Sequence, residues 1–265
     1  MKIGIVGCAG RMGRMLIQEM LATPGAALAG GTEPSGPAIG QDLGTLVGAA
    51  AQGVVVTSDA KALFAVSDAV IDFTVPAATK IHAELAAASG KALVVGTTGL
   101  NDDARAAIAA AAKKTVIIQS PNMSVGVNVL LALTEKLAAT LGPDYDIDIL
   151  EMHHRHKVDS PSGTALGLGE AAAKGRQVHL KDVARTTRDG IVGARPVGEI
   201  GFATLRGGDV VGDHTVIFAA NGERIEVTHK ASSREVFAKG AVRAALWAKD
   251  RAPGLYSMRD VLGLG

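Results

Sequence analysis

The chain has 265 residues, with 27 Lys and Arg against 26 Asp and Glu, for a formal net charge of +1. That balance excludes bulk attraction to nucleic acid or anionic membrane, and five Phe, two Tyr and one Trp are too few for base-stacking platforms. A hydrophobic fraction of 48% excludes disorder, and a single cysteine excludes a disulfide framework and fits a reducing compartment. Residues 3–6 predict the first strand and 11–22 a helix that stops before Thr23-Pro24-Gly25. Further strands are expected at 27–33, 54–57 and 69–74. Pro76 then begins a helix at a position where its missing N–H does no harm, and Gly90 caps that helix after Ser89. A strand at 92–95 leads into the tight loop Gly96-Thr97-Thr98-Gly99. Asn101 caps the next helix, with Asp102 and Asp103 in its first turn and Lys113 and Lys114 in its last, matching the macrodipole. A strand at 115–119 completes the series. Strands separated by helices of this length imply parallel pairing with right-handed crossovers, and so a doubly wound sheet.

The second half has a different rhythm. Residues 146–152 partly alternate, as a half-buried strand does, and 164–174 form an alanine-rich helix. Strand character follows at 197–205, 210–220 and 224–230, with the hairpin signal Asn221-Gly222 between the last two. A mixed sheet with antiparallel later strands is expected, and a helical run at 234–249 returns to the first domain. The expected fold is therefore α/β: an N-terminal Rossmann-like doubly wound parallel sheet, with a second α+β domain built on an open mixed sheet. The boundaries fall near 124 and 233, giving 1–124 plus 234–265 as one domain and 125–233 as the other. The apolar run at the start is too short for a signal peptide, and none reaches membrane-spanning length, so a soluble, cytoplasmic protein is expected.

Gly7-Cys8-Ala9-Gly10-Arg11-Met12-Gly13 directly follows the first strand and begins the first helix. Its GxxGxxG spacing is a variant of the dinucleotide fingerprint, with Ala9 in the usual second glycine position. Small residues there let backbone N–H groups approach a pyrophosphate at a helix N-terminus. Such a spacing arises easily by chance among 33 glycines, and a ligand-free turn is the competing reading. Context favours the nucleotide: a strand before, a helix after, and Glu33 at the end of the next strand to accept from a ribose diol. Gly96-Thr97-Thr98 and Ser120-Pro121-Asn122-Met123 also follow strands, at the edge where such ligands bind, with simple turn chemistry as the alternative.

The segment 151–164 is the most informative. His153, His154 and His156 lie beside Arg155 and Lys157, a density of bases that neither a core nor an ordinary surface uses. His154 and His156 would project the same way if the segment stayed extended, which opens a metal reading; no third ligand has recognisable spacing. The other reading is an anionic-substrate site. Ser160-Pro161-Ser162-Gly163-Thr164 begins a helix, with N–H groups and hydroxyls suited to a carboxylate. Lys157 adds charge, and a histidine beside it exchanges a proton near neutral pH, with its pKa lowered by neighbouring cations. A dinucleotide fold with a cationic, proton-donating site suggests hydride transfer to an electron-poor double bond of a carboxylated substrate.

With these motifs the sequence resembles the 4-hydroxy-tetrahydrodipicolinate reductase (dihydrodipicolinate reductase) family of bacterial lysine and diaminopimelate biosynthesis. The match spans nearly the whole chain, taking in the glycine loop, Gly96 to Gly99, Pro121 to Asn128, and His-His-x-x-Lys-x-Asp-x-Pro-Ser-Gly-Thr at 153–164. It continues through Arg206-Gly207-Gly208, Gly212-Asp213-His214 and Ser232-Ser233-Arg234. The resemblance implies an oxidoreductase using NADH, NADPH or both on a cyclic unsaturated dicarboxylate, with no resident metal. It implies His153 as proton donor and acceptor, Lys157 as proton donor, and His154, Gly163 and Thr164 as substrate-binding residues, to which the reading of the helix start adds Ser162. Cofactor binding would fall to Gly7, Cys8, Ala9, Gly10, Arg11, Met12, Glu33, Gly96, Thr97, Thr98, Ser120, Pro121, Asn122 and Met123. A homotetramer joined through the second domain's sheet, with hinge closure between domains, is also implied.

One position departs from the pattern. Some members carry arginine directly after the acidic residue, where it meets the 2′-phosphate of NADPH; here Pro34 stands there, with Arg11 and Arg14 as the nearby substitutes. Three alternatives stay open on the residues alone: another dinucleotide-dependent reductase of a small carboxylated substrate, a metal-dependent hydrolase or lyase using His154 and His156, and a non-catalytic redox sensor. His82, His179, His214 and His229 read as solvent-facing or locally hydrogen-bonded. Cys8 reads as a small packing residue, with a thiolate favoured by the helix N-terminus as the alternative.

Overall fold

The computed structural model describes residues 1–264 and divides the chain into two compact units. The first comprises Met1–Val125 and the C-terminal stretch from Arg234; the second is Gly126–Ser233. In chain order the first contributes β1 (Lys2–Val6), α1 (Arg11–Ala22), β2 (Ala27–Thr32), α2 (Leu43–Leu46), β3 (Val56–Thr57) and α3 (Ala60–Val66). It continues through β4 (Ala69–Asp72), α4 (Pro76–Ser89), β5 (Ala92–Val95), α5 (Asp102–Ala112) and β6 (Val116–Gln119). The second holds α6 (Val125–Leu141), which begins at the boundary, then β7 (Asp146–His153), α7 (Gly163–Gly175) and α8 (Leu180–Val183). Next come β8 (Ala184–Arg185), β9 (Ile200–Arg206), β10 (Gly212–Ala220) and β11 (Glu223–Ala231). The chain then returns through α9 (Glu235–Trp247), β12 (Gly254–Tyr256) and α10 (Met258–Leu262).

The first unit is a seven-stranded sheet in the order β12-β6-β5-β4-β1-β2-β3, with every ladder parallel. Its central strands are apolar on both faces, as helices on both sides require. Ile3, Ile5, Ile71 and Val94 pack with Leu16, Ile17, Ala241 and Ala245 on one side. Val6, Val70, Leu93 and Ile117 pack with Phe64, Ala83, Ala104 and Ile108 on the other. Helix α4 begins at Pro76 and ends at Gly90, which takes φ 68°, the left-handed cap that glycine adopts without strain. Asn101 caps α5 by accepting from Ala104 N, but the helix stops at Ala112, so Lys113 is its C-cap and neither lysine lies in the last turn. Strand order reverses between β1 and β4, and the crevice beyond their carboxyl ends is where this topology places ligands.

The second unit is a five-stranded mixed sheet in the order β11-β10-β7-β9-β8. Strand β10 pairs antiparallel with β7 and β11, while β7 and β8 pair parallel with β9. Along β7 burial alternates strictly, with Ile147, Ile149, Glu151 and His153 all turned inward. The first two join Leu130, Leu168, Val216 and Phe218 in an apolar core. The same face becomes polar one strand-repeat later, and that switch sets up the site. No helix among the described residues is long and apolar enough to cross a membrane.

Candidate active site

The glycine loop lies at the β1 end of the crevice in the first unit. Gly7 has φ 70°, and the N–H groups of Gly7 and Cys8 donate to Thr32 O at 2.8 and 3.2 Å. A Cβ on Gly13 would sit 2.2 Å from Gly7 O and 2.5 Å from Cys8 Cα, so only glycine lets α1 approach β1 this closely. Glu33 Oε1 accepts from Ala9 N at 2.6 Å, which ties the acidic residue to the loop. Ala9, Gly10, Arg14, Glu33, Ser35 and Gln41 border a cavity of about 330 Å³. A tight turn of small residues, a following helix and a carboxylate at the next strand end fit the adenosine half of a dinucleotide. Arg11 is exposed at the start of α1. Arg14 Nε donates to Ala9 O at 2.9 Å, and its Nη1 donates to Leu46 O.

The other expected cofactor loops are anchored through Asp72 at the end of β4. This fully buried carboxylate accepts from Thr74 N and Thr74 Oγ1 at 2.8 and 2.6 Å, from Thr97 Oγ1 at 3.2 Å, and pairs with His82 Nδ1 at 2.8 Å. Thr79 Oγ1 donates to Thr97 Oγ1 at 2.9 Å. Burial acts to raise the Asp72 pKa, but His82 and Thr74 outweigh it and hold the group ionised below the ordinary range. Thr97 is thus buried and fixed, while Thr98 and Gly99 are exposed; Gly96 fits because any Cβ would strike the Phe73 ring at 2.3 Å. In the last loop Ser120 Oγ donates to Asn122 O at 2.9 Å, Asn122 Oδ1 accepts from Ser124 N at 2.8 Å, Pro121 is exposed and Met123 is buried. Cys8 is wholly buried, and burial together with Glu33 pushes its thiol up to about 12, so it is a packing residue with no thiolate character.

In the second unit the polar end of β7 meets β9, β10 and the start of α7. Glu151 is 1% exposed. Its Oε2 pairs with His153 Nδ1 at 2.6 Å and accepts from Arg206 Nη1 at 2.8 Å. Its Oε1 accepts from Arg206 Nη2 at 2.9 Å and from Ser162 N at 3.0 Å. Ser162 caps α7 by accepting from Ala165 N at 3.1 Å, and its Oγ lies 3.0 Å from His214 Nε2. The His153 and His214 rings meet edge to face, 5.1 Å between centroids. Lys157 Nζ donates to both carboxylate oxygens of Asp159, at 2.8 and 2.9 Å. Arg206 Nη2 also donates to Asp159 O at 2.8 Å, so one guanidinium touches the partners of both His153 and Lys157.

Burial is the largest influence on His153 and lowers its pKa; Glu151 opposes it, and Lys157 and Arg206 add to the lowering. The cations expected to act are therefore secondary to desolvation. Burial likewise brings His214 down to about 4. For Glu151 burial acts upward, yet hydrogen bonds from Arg206, His153 and Ser162 prevail and keep it ionised.

His154 leaves the strand: its N–H donates to Val210 O at 2.7 Å, and its buried Nδ1 has no hydrogen-bond partner among the described residues. The segment does not stay extended, because 155–156 form a turn, and the His154 and His156 rings lie 6.2 Å apart. Among the described residues no group of three His, Cys, Asp or Glu is arranged to hold a metal. Gly163 is exposed at the first turn of α7, beside Thr164. His82 and His214 are buried and hydrogen-bonded, which selects the hydrogen-bonded alternative for both, with partners, Asp72 and Ser162, that are distant in sequence rather than local. Glu151, Arg206 and His214 escape sequence reasoning as site residues. The one available signal is alternation, which puts Glu151 on the face of His153; Arg206 and His214 join it only through the pairings His153↔Arg206 and Glu151↔His214.

A parallel sheet with this strand order and a glycine loop at its switch point have the architecture of a dinucleotide-dependent oxidoreductase. Residues 1–123 match the family model described as dihydrodipicolinate reductase, N-terminus, and 126–262 match its C-terminus counterpart. The chain is 56% identical over 263 residues to a 4-hydroxy-tetrahydrodipicolinate reductase of Dinoroseobacter shibae, covering 99% of this chain and 98% of that protein. It is also 56% identical to that of Methylocella silvestris, covering 100% and 98%. A dihydrodipicolinate reductase from Paenisporosarcina sp., solved with dipicolinate, shares the fold at TM-score 0.78 and 22% identity, covering 97% of each chain. The chain belongs to the dihydrodipicolinate reductase family.

Proposed function

We propose that this chain reduces a cyclic unsaturated dicarboxylate to tetrahydrodipicolinate, acting as a 4-hydroxy-tetrahydrodipicolinate reductase with NADH or NADPH. The observation that carries the reading is the buried Glu151–His153 couple beside Lys157 at the N-terminus of α7, on a chain 56% identical over its length to reductases of that name. When bound, the reduced nicotinamide supplies a hydride. Gly7 to Met12, Glu33, Gly96 to Thr98 and Ser120 to Met123 are proposed to hold it. The glycine loop supports this through the Gly13 approach, and Glu33 through its bond to Ala9 N.

The substrate carboxylates are assigned to Ser162, Gly163, Thr164 and His154. The support is an N-terminal helix turn, where N–H groups favour an anion, and the unpartnered buried Nδ1 of His154. Hydride addition to one ring atom pushes an electron pair onto another, which must be protonated. Lys157 is the proposed donor of that proton, and His153, neutral through burial, the group that exchanges protons at Nε2. The homotetramer and cytoplasmic setting implied by the family resemblance belong to the same proposal, with the mass in solution as the check on assembly.

Variants at the two bases test the roles. His153→Gln and Lys157→Ala should each lose about 100-fold or more in kcat, while NADH Kd stays within about threefold of wild type. Equal loss of NADH affinity in both variants would assign them a structural role instead.

A further inference from the structure

The Glu151–His153 contact fixes more than distance. Glu151 is ionised, and an ionised carboxylate only accepts hydrogen bonds. The 2.6 Å contact at His153 Nδ1 therefore requires the hydrogen on that nitrogen, which leaves Nε2 of the neutral ring with its lone pair. Arg206 grips both carboxylate oxygens, so Glu151 cannot rotate away without losing a bidentate pair. Gly212 borders the other side of the ring: a Cβ there would lie 3.0 Å from His153 Nε2 and 3.4 Å from Cδ2. The missing side chain keeps that nitrogen clear.

We propose that Glu151 is a positioning residue for the reaction: it holds His153 in the Nδ1–H tautomer with Nε2 free to exchange a proton, Arg206 clamps Glu151, and Gly212 preserves the space at Nε2. The proposal rests on the reading of His153 as the proton-exchanging group. Nε2 takes the exchanged proton onto its lone pair and gives it back, while the Nδ1 proton stays on the ring, hydrogen-bonded to Glu151. The other charged or titratable groups that bear on this ring are Lys157, Arg206 and His214, and none of them accepts from Nδ1. Arg206 also reaches Asp159 O, beside the carboxylate that holds Lys157, so its loss should disturb both bases together.

Glu151→Gln tests this, because an amide either donates or accepts and no longer dictates the tautomer. The expected result is a fall in kcat of about 100-fold or more, with substrate KM and NADH Kd within about threefold of wild type. Solid-state ¹⁵N spectra of histidine-labelled protein supply a second readout, with the His153 signal identified by its absence in His153→Gln. Wild type should show a protonated Nδ1 and an unprotonated Nε2, and E151Q a shift toward protonated Nε2. A wild-type signal protonated at Nε2 alone would overturn the proposal, as would an E151Q kcat within about threefold of wild type. The wild-type spectrum needs neither substrate nor a Glu151 variant, so a failure of the tautomer assignment is distinguishable from a failure of the proposed reaction.

Discussion

Burial makes His214 a source of acid instability. The residue is 3% exposed, and its folded-state pKa is about 4 against an ordinary 6.5, so the unfolded chain binds its proton first as pH falls. Its contribution is fully present above pH 6.5 and is lost as pH falls from there toward 4. His153 and His229, also lowered chiefly by burial, act with the same sign. Glu151 adds to the loss at lower pH, since its depressed pKa supplies stability above the ordinary carboxylate range that disappears on protonation. Urea unfolding should show about 2–3 kcal/mol lost through His214 between about pH 7.5 and 4.5, and His214→Asn should remove that share. A wild-type-minus-variant difference that ignores pH would contradict this origin of the acid sensitivity. At this scale the sequence is legible where chemistry is conspicuous: a run of bases at 153–157 announces itself. Glu151 does not, because a lone carboxylate in a strand reads as a solvated position until the strand's neighbours are known.

Strand β4 and helix α4 are joined by the buried contact of Asp72 with His82 Nδ1, and the loop after β5 hangs from the same carboxylate. Asp72→Ala would leave His82, the Thr74 N–H and the Thr97 hydroxyl without their acceptor. Leaving buried donors without an acceptor costs about 1–3 kcal/mol each, read as a lower urea midpoint at constant slope. A loss under about 1 kcal/mol would mean the carboxylate does not hold these elements together. Elements with strong punctuation are legible from residues alone: Pro76 and Gly90 bracket α4, and Asn101 starts α5. Helix α6 is not, since Val125-Gly126-Val127-Asn128-Val129 alternates like a strand and the helix is apolar well beyond one stripe. The strand expected at 54–57 is present as the two-residue β3, while the short α2 and α8 fall below the length at which periodicity carries a signal.

The two units are legible as a change of rhythm, from apolar strands between helices to alternating strands joined by Asn221-Gly222, where Gly222 takes φ 87°. The neighbours of β7 are not legible, because it lies beside β9 and β10 through contacts distant in sequence. Cofactor choice belongs to the whole enzyme. Glu33 is followed by uncharged Pro34, and the Arg14 guanidinium is engaged by Ala9 O and Leu46 O. NADH should therefore be used at least as well as NADPH, compared as kcat/KM; an NADPH preference beyond about tenfold, roughly 1.4 kcal/mol, would contradict this.

The most direct measurement follows NADH absorbance in the presence of purified protein while the cyclic dicarboxylate precursor is generated in situ. A reductase of this kind should give a steady fall matched mole for mole by tetrahydrodipicolinate. A flat trace from well-folded protein, with both NADH and NADPH, would contradict the proposed activity.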